Sequence, residues 1–258
     1  MRLAKSLMFR FNRRTTTQNN QPEQLQPVLA SAAIENLYIE RKAIKHLYLR
    51  IDPGNGQVRV SAPNRMKETE IVRFLQQKRD WIARKRQQLQ HKVQLSRTLP
   101  DSSDRILLWG QPCQLLLQAS SQSGITLNGK QELCVQLEDP ANRTSLQQQI
   151  DRWLRSQISE RIEQRLPVWE RISGTRAHEW RIRSMKTRWG SCNIRVARIW
   201  INQELVKLPP ECLDYILLHE LVHLLEASHN ARFHHLMSRF MPEWPEIDRQ
   251  LNQYILPR

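Results

Sequence analysis

The sequence predicts an α+β protein in which small sheets alternate with long helices, and three observations carry that prediction. Short runs of alternating apolar and polar residues are separated by the turn signals Pro53-Gly54-Asn55-Gly56 and Asn128-Gly129, the pattern of hairpins. Two long stretches, 67–90 and 145–172, repeat their apolar residues at helical rather than strand spacing. Near the C-terminus an apolar run beginning at Leu213 contains His219-Glu220-Leu221-Val222-His223, which puts two histidines one turn apart on a helix.

Taken in order, 1–33 reads as a flexible tail, because 11–33 is rich in Thr, Asn, Gln and Pro. Order is expected to begin near Ile34, with short strands at 36–39, 43–51 and 57–62 and Pro63 closing the sheet segment. A basic helix over 67–90 follows, marked on one face by Ile71, Phe74, Leu75, Lys78, Trp81 and Ile82, and then a linker at 95–104. A second set of strands is expected at 106–109, 114–118, 125–127 and 133–137. The helix of 145–172 carries Ile150, Trp153, Leu154, Ile158, Ile162 and Leu166, and Pro167 is expected to bend or interrupt it. Two further strands, 181–186 and 198–202, are joined through 187–193, and Pro209-Pro210 opens the helix with the histidine pair. Short helices at 231–241 and 245–254 finish the chain. The expected division is a tail at 1–33, a β-rich region with a basic helix at 34–140, and a C-terminal domain at 141–258.

Composition narrows the class. The chain has 258 residues, 40% hydrophobic and 25% charged, and no apolar run approaches the roughly 18 residues of a membrane span. The basic N-terminus lacks the apolar stretch of a secretory signal. Cys113, Cys134, Cys192 and Cys212 show no CxxC spacing, so reduced thiols in a cytoplasmic protein are expected. The net charge of +15 is uneven: residues 1–100 hold 20 Lys and Arg against 7 Asp and Glu. A smaller cluster, Arg176, Arg181, Arg183, Lys186, Arg188, Arg195 and Arg198, is opposed only by Glu179. Such charge attracts nucleic acid or another polyanion, or simply solvates a face.

The histidines carry the chemistry. At i and i+4 both imidazoles reach one metal, and Glu220 between them is placed to take a proton from a water on that metal. His229 follows His223 by six residues, beyond turn-prone Ser228, and Asn230 is suited to cap a helix from Ala231. His219, His223 and His229 are therefore the expected zinc ligands, with an open fourth position for water. Glu226, at i+7 from His219, and the nearby His234 and His235 are the rivals for third ligand.

Several separated motifs point the same way: Ile39-Glu40-Arg41-Lys42 leading into the hairpin of 50–63, Lys78-Arg79-Asp80-Trp81-Ile82, Arg188-Trp189-Gly190-Ser191-Cys192, Leu208-Pro209-Pro210, and His219 to His223 followed by His229 and Phe233. With these the chain resembles the YgjP-like metallopeptidase family, of the zincin type, over about 35–255, and is similar to the SprT-like proteases. The resemblance implies a zincin-like C-terminal half, with the active-site helix beside a short sheet. It favours His229 as third ligand, since the last histidine of these families precedes a helix bearing an aromatic residue, here Phe233. The chain departs from the family at Asn230-Ala231, where Ser-Pro or Gly-Pro is common. The six-residue gap to His229 matches metzincins, but Glu226 stands where those have glycine. In zincins a strand beside the active-site helix borders the cleft. This implies that Gly190 lets a substrate backbone approach, that Arg188 holds an anionic group or a carbonyl, and that Trp189 either walls the pocket or packs in the core.

The resulting expectation is a zinc-dependent peptidase with Glu220 as general base and a protein or peptide as substrate. Two other classes stay open from sequence. A metal-dependent hydrolase of nucleotides or other phosphoanhydrides would use the basic strands, although no Gly-rich phosphate loop is present. A nucleic-acid-binding protein with a structural metal would use the basic N-terminal region.

Overall fold

The computed structural model describes residues 34–90, 92–95, 105–129 and 131–257. The tail of 1–33, and all but Leu95 of the 95–104 linker, lie outside the described residues. The described residues form a mixed α+β protein of small sheets and six helices, in two compact units that divide between Val93 and Gln94.

In the first unit, β1 (Leu37–Lys42), β2 (Tyr48–Ile51) and β3 (Val58–Pro63) form a sheet of order β1-β3-β2. β2 and β3 are the expected antiparallel hairpin, and β1 runs parallel to β3. Alternation decides the faces: Val58, Val60 and Ala62 point into a core with Leu47 and Leu49, while Arg59 lies over the Tyr38 ring at 5.6 Å. The core is closed by Ile71 and Leu75 of α1 (Glu68–Gln77) and Ile82 of α2 (Arg79–Gln90). The sequence reads 67–90 as one helix, but the chain breaks it at Lys78, whose ψ of 2° leaves the helical range while its N–H donates to Phe74 and Leu75 carbonyls. The break changes the direction of the apolar face, so both short helices cover the same sheet. A two-residue strand, β4 (Val93–Gln94), stands at the division.

The second unit begins with a four-stranded sheet: β5 (Arg105–Leu108), β6 (Gln111–Ala119), β7 (Gly124–Leu127) and β8 (Glu132–Leu137), in the order β5-β6-β8-β7. Sequence reasoning groups these strands with the N-terminal region, but they fall in the same unit as the histidines. The reason is local. The β5–β6 turn at Trp109 and Gly110, both at positive φ, donates its amides to the carbonyls of Val206 (2.7 Å) and Lys207 (3.3 Å). It packs so tightly on Pro209 that a Cβ on Gly110 would meet the proline ring at 2.9 Å.

α3 (Arg143–Ser173) is a single helix of 31 residues that runs through Pro167 without interruption. Its buried residues Leu146, Ile150, Leu154, Ile158, Ile162 and Leu166 recur every four positions, and Trp169 continues the stripe. Asn142 caps its start through Ser145 N–H, and Gly174 ends it at φ +68°. Asp214 fixes α3 against the helix of the histidines, accepting from Arg165 Nε at 2.7 Å and Trp169 Nε1 at 2.9 Å. Truncating Ile162, which is fully buried, to Ala should cost about 2–5 kcal/mol, read as a lower urea midpoint at unchanged slope.

A third sheet, order β10-β11-β9, comprises β9 (Glu179–Arg183), β10 (Gly190–Asn193) and β11 (Arg198–Asn202). β9 is parallel to β11 and β10 antiparallel to it. The sequence reading leaves 190–193 in a turn; it is instead an edge strand, reached by a crossing of β11 at 184–189. The chain closes with α4 (Pro210–Val222), α5 (Ala231–Phe240), α6 (Trp244–Leu251) and β12 (Tyr254–Ile255). No helix among the described residues is long and apolar enough to cross a membrane.

Candidate active site

α4 is buried nearly all round, from Cys212 and Leu213 through Tyr215 to Val222, as expected of a helix at the centre of a unit rather than on its surface. His219 and Glu220 are each only 2% exposed. The helix ends at Val222 and His223 caps it, half-buried. The return of the chain is then built from short polar bonds. The Glu226 carboxylate accepts from the N–H and hydroxyl of Ser228, the Ser228 carbonyl accepts from Asn230 N–H, and Asn230 Oδ1 caps α5 through Phe233 N–H at 3.0 Å.

This turn brings His229 back over α4, with its Nε2 at 2.9 Å from His219 Nε2. One nitrogen from each of His219, His223 and His229 lies within 4.8 Å of the others, a group able to hold a metal ion. Phe233 underpins all three, its ring 4.9, 4.8 and 4.7 Å from those of His219, His223 and His229. His223 Nδ1 lies 3.2 Å from the Glu226 carbonyl, which favours the tautomer that leaves Nε2 free to ligate. Two rivals for third ligand are engaged elsewhere: the Glu226 side chain ties its own loop, and His234 stacks on Trp244 at 5.4 Å.

Electrostatics suit such a group. Burial lowers the pKa of His219 well below the usual imidazole value, with the other histidines adding to it. Burial also lowers His223, and brings His229 down to about 4. Three neutral imidazoles with available lone pairs result, which is the donor set a divalent cation needs. Burial pushes the Glu220 carboxyl up to about 8, opposed by the positive charge of Arg188. Burial, with Glu220 adding, raises Cys192 to about 12, so that thiol stays protonated.

The Arg188-Trp189-Gly190 segment runs beside Glu220. Arg188 is exposed, whereas Trp189 is 7% exposed and belongs to the core. Gly190 opens the edge strand β10, and its missing side chain faces α4 closely. A Cβ there would lie 2.5 Å from Glu220 Oε1 and 2.8 Å from Cγ2 of Ile216. The close approach that the glycine permits is therefore made by Glu220 itself.

Sequence reasoning missed the support behind His219. Tyr215 lies four residues earlier on the same face, its ring edge-on to His219 at 5.7 Å. Its hydroxyl donates to Asp248 Oδ1 at 3.0 Å, and its other side stacks on Trp244. The i−4 spacing was a usable signal for Tyr215; nothing in the sequence marked Asp248 or Trp244. It also missed Asn202, fully buried at the end of β11.

Comparison with curated proteins gave no match. Among solved structures, the crystal structure of the metallopeptidase zymogen of Pyrococcus abyssi abylysin is similar at 27% identity, over 37% of this chain and 99% of that one, with a TM-score of 0.34. The family model of the YgjP-like metallopeptidase domain matches residues 45–254. The match takes in both the first unit's hairpin and the histidine cluster, and the chain belongs to the YgjP-like metallopeptidase family.

Proposed function

We propose that the protein is a zinc-dependent peptidase in which His219, His223 and His229 hold the ion and Glu220 is the general base. The observation that carries this reading is the convergence of three neutral imidazoles beside one buried carboxylate. Three protein nitrogens leave a coordination position open, the arrangement of catalytic rather than structural zinc. When bound, zinc supplies Lewis acidity to the scissile carbonyl and acidifies a water.

The chain's own residues do the rest. Glu220 accepts the proton of the attacking water and delivers it to the departing amine. Its burial keeps competing water away, and the charge of Arg188 favours the ionised form that can accept. β10, at the edge of its sheet among the described residues and packed on α4, offers an edge with which an extended peptide can pair. Arg188, exposed at the start of that edge, is positioned to meet a substrate carbonyl or carboxylate. Together these features support a zincin-like arrangement of active-site helix and neighbouring sheet.

Part of the basic strand cluster, which a phosphoanhydride site would use, is tied into the fold. Glu179 bridges Arg181 and Arg198, and Arg181 and Arg183 flank the Trp200 ring at 5.6 and 5.8 Å. Those cations have protein partners already.

Metal content by mass spectrometry tests the ligand set. Wild type should carry about one zinc per chain, and His229→Ala should lose most of it at low micromolar zinc, because two imidazoles remain of three. Full retention in the variant would place the third ligand elsewhere.

A further inference from the structure

The 184–189 crossing is the most irregular stretch beside Glu220, and one side chain holds it. The chain leaves β9, passes over the end of β11 and enters β10. Asn202 ends β11 beneath this crossing and is fully buried. Its Nδ2 donates to the carbonyls of Met185 at 2.9 Å and Arg188 at 2.7 Å. Its backbone N–H donates to the Trp189 carbonyl at 2.8 Å. Its Oδ1 accepts from Glu204 N–H at 3.2 Å and from Met185 N–H at 3.5 Å. A single amide thus ties together two carbonyls of a stretch that has no strand pairing of its own.

We infer that Asn202 is a positioning residue for the reaction: it fixes the crossing that carries Arg188 so that the Gly190 backbone is set against Glu220. Arg188 and Gly190 lie at the end of the clamped segment. Gly190 meets Glu220 at a contact with no spare space, so a displaced crossing is felt at that carboxylate. The functional part of this inference rests on the peptidase reading; the clamp itself does not.

Two variants separate the clamp from the local turn that Asn202 also caps. Asn202→Asp and Asn202→Ser keep an oxygen for Glu204 N–H but lose both long-range donors. Zinc content should stay at the wild-type level in both, since no ligand lies on the crossing. Hydrogen exchange of a peptide covering 185–190, followed by mass spectrometry, should quicken by at least about tenfold, with α4 unchanged. For the folded, metal-loaded fraction, kcat on a peptide substrate should fall at least about tenfold with KM within about threefold, as expected when a reacting group is misplaced rather than substrate binding lost. Exchange at the wild-type rate, or kcat within about twofold of wild type, would overturn the inference. If only one variant folds, that variant decides. A wild type inert toward peptides would count against the peptidase reading alone, and the exchange result would still uphold or overturn the clamp.

Discussion

Replacing Glu220 with Gln should lower peptide turnover by ~10²–10⁴-fold, the range for removing a general base, while leaving zinc stoichiometry unchanged. The same substitution should make the metal-free protein more stable at neutral pH. Both effects come from one fact: a carboxyl that is 2% exposed has its pKa pushed up to about 8 by burial. The folded state then binds a proton that the unfolded chain has already released, over the window from about 4.5 to about 8. The contribution of Glu220 to the stability of the metal-free wild type therefore falls as pH rises through that window, by on the order of 3 kcal/mol by pH 7, while the lowered pKa values of the three histidines act in the opposite sense. Gln fills the same space without a charge and keeps the histidines, so the gap in stability between variant and wild type should widen from pH 5 to pH 8. Unfolding of metal-free wild type and variant at pH 5 and pH 8 checks this part, and turnover with zinc bound checks the other. A Gln variant as active as wild type would remove Glu220 from the mechanism. A stability difference between variant and wild type that is the same at both pH values would mean the carboxyl ionises freely in the fold.

The histidines were legible in the sequence because helical geometry constrains them tightly. Spacing at i and i+4 on an apolar helix leaves few other uses, and the turn residues Ser228 and Asn230 announce the return of His229. Local hydrophobic pattern likewise showed the hairpin of β2 and β3, the stripe along α3 and the cap at Asn230. What was not legible depends on contacts distant in sequence. The break at Lys78 is set by the need of both short helices to cover one sheet, which no local signal states. β10 was missed because Gly190 to Asn193 has neither length nor apolar alternation; it is a strand because β11 offers it a partner. Trp189 was open from sequence between a pocket wall and the core, and burial places it in the core, while Asn202, a polar residue closing a strand, gave no local sign of its bonds to the Met185 and Arg188 carbonyls.

Gly190→Ala should impair the protein through the same carboxylate, and that makes it separable from an ordinary core defect. The added methyl would sit 2.5 Å from Glu220 Oε1, 2.9 Å from its Cδ and 2.8 Å from Cγ2 of Ile216, all closer than real Cβ atoms approach. β10 is held by its pairing with β11, and Ile216 is locked in a buried helix, so the end of Glu220 is the part able to move. A shift of the order of 1 Å in a reacting group costs up to about 100-fold in rate. Overpacking should also cost about 1–3 kcal/mol of stability. A double-mutant cycle tells which neighbour resists the methyl. If the clash is chiefly with Glu220, Glu220→Ala should recover part of the stability lost to Gly190→Ala, with a coupling of about 0.5–3 kcal/mol. Recovery should be partial, because Ile216 remains in the way. Strictly additive losses would mean the methyl is absorbed by strand movement, and the rate loss would then need another cause. Either way the glycine is retained for a contact inside the protein, so changing the size of the substrate should not rescue the variant.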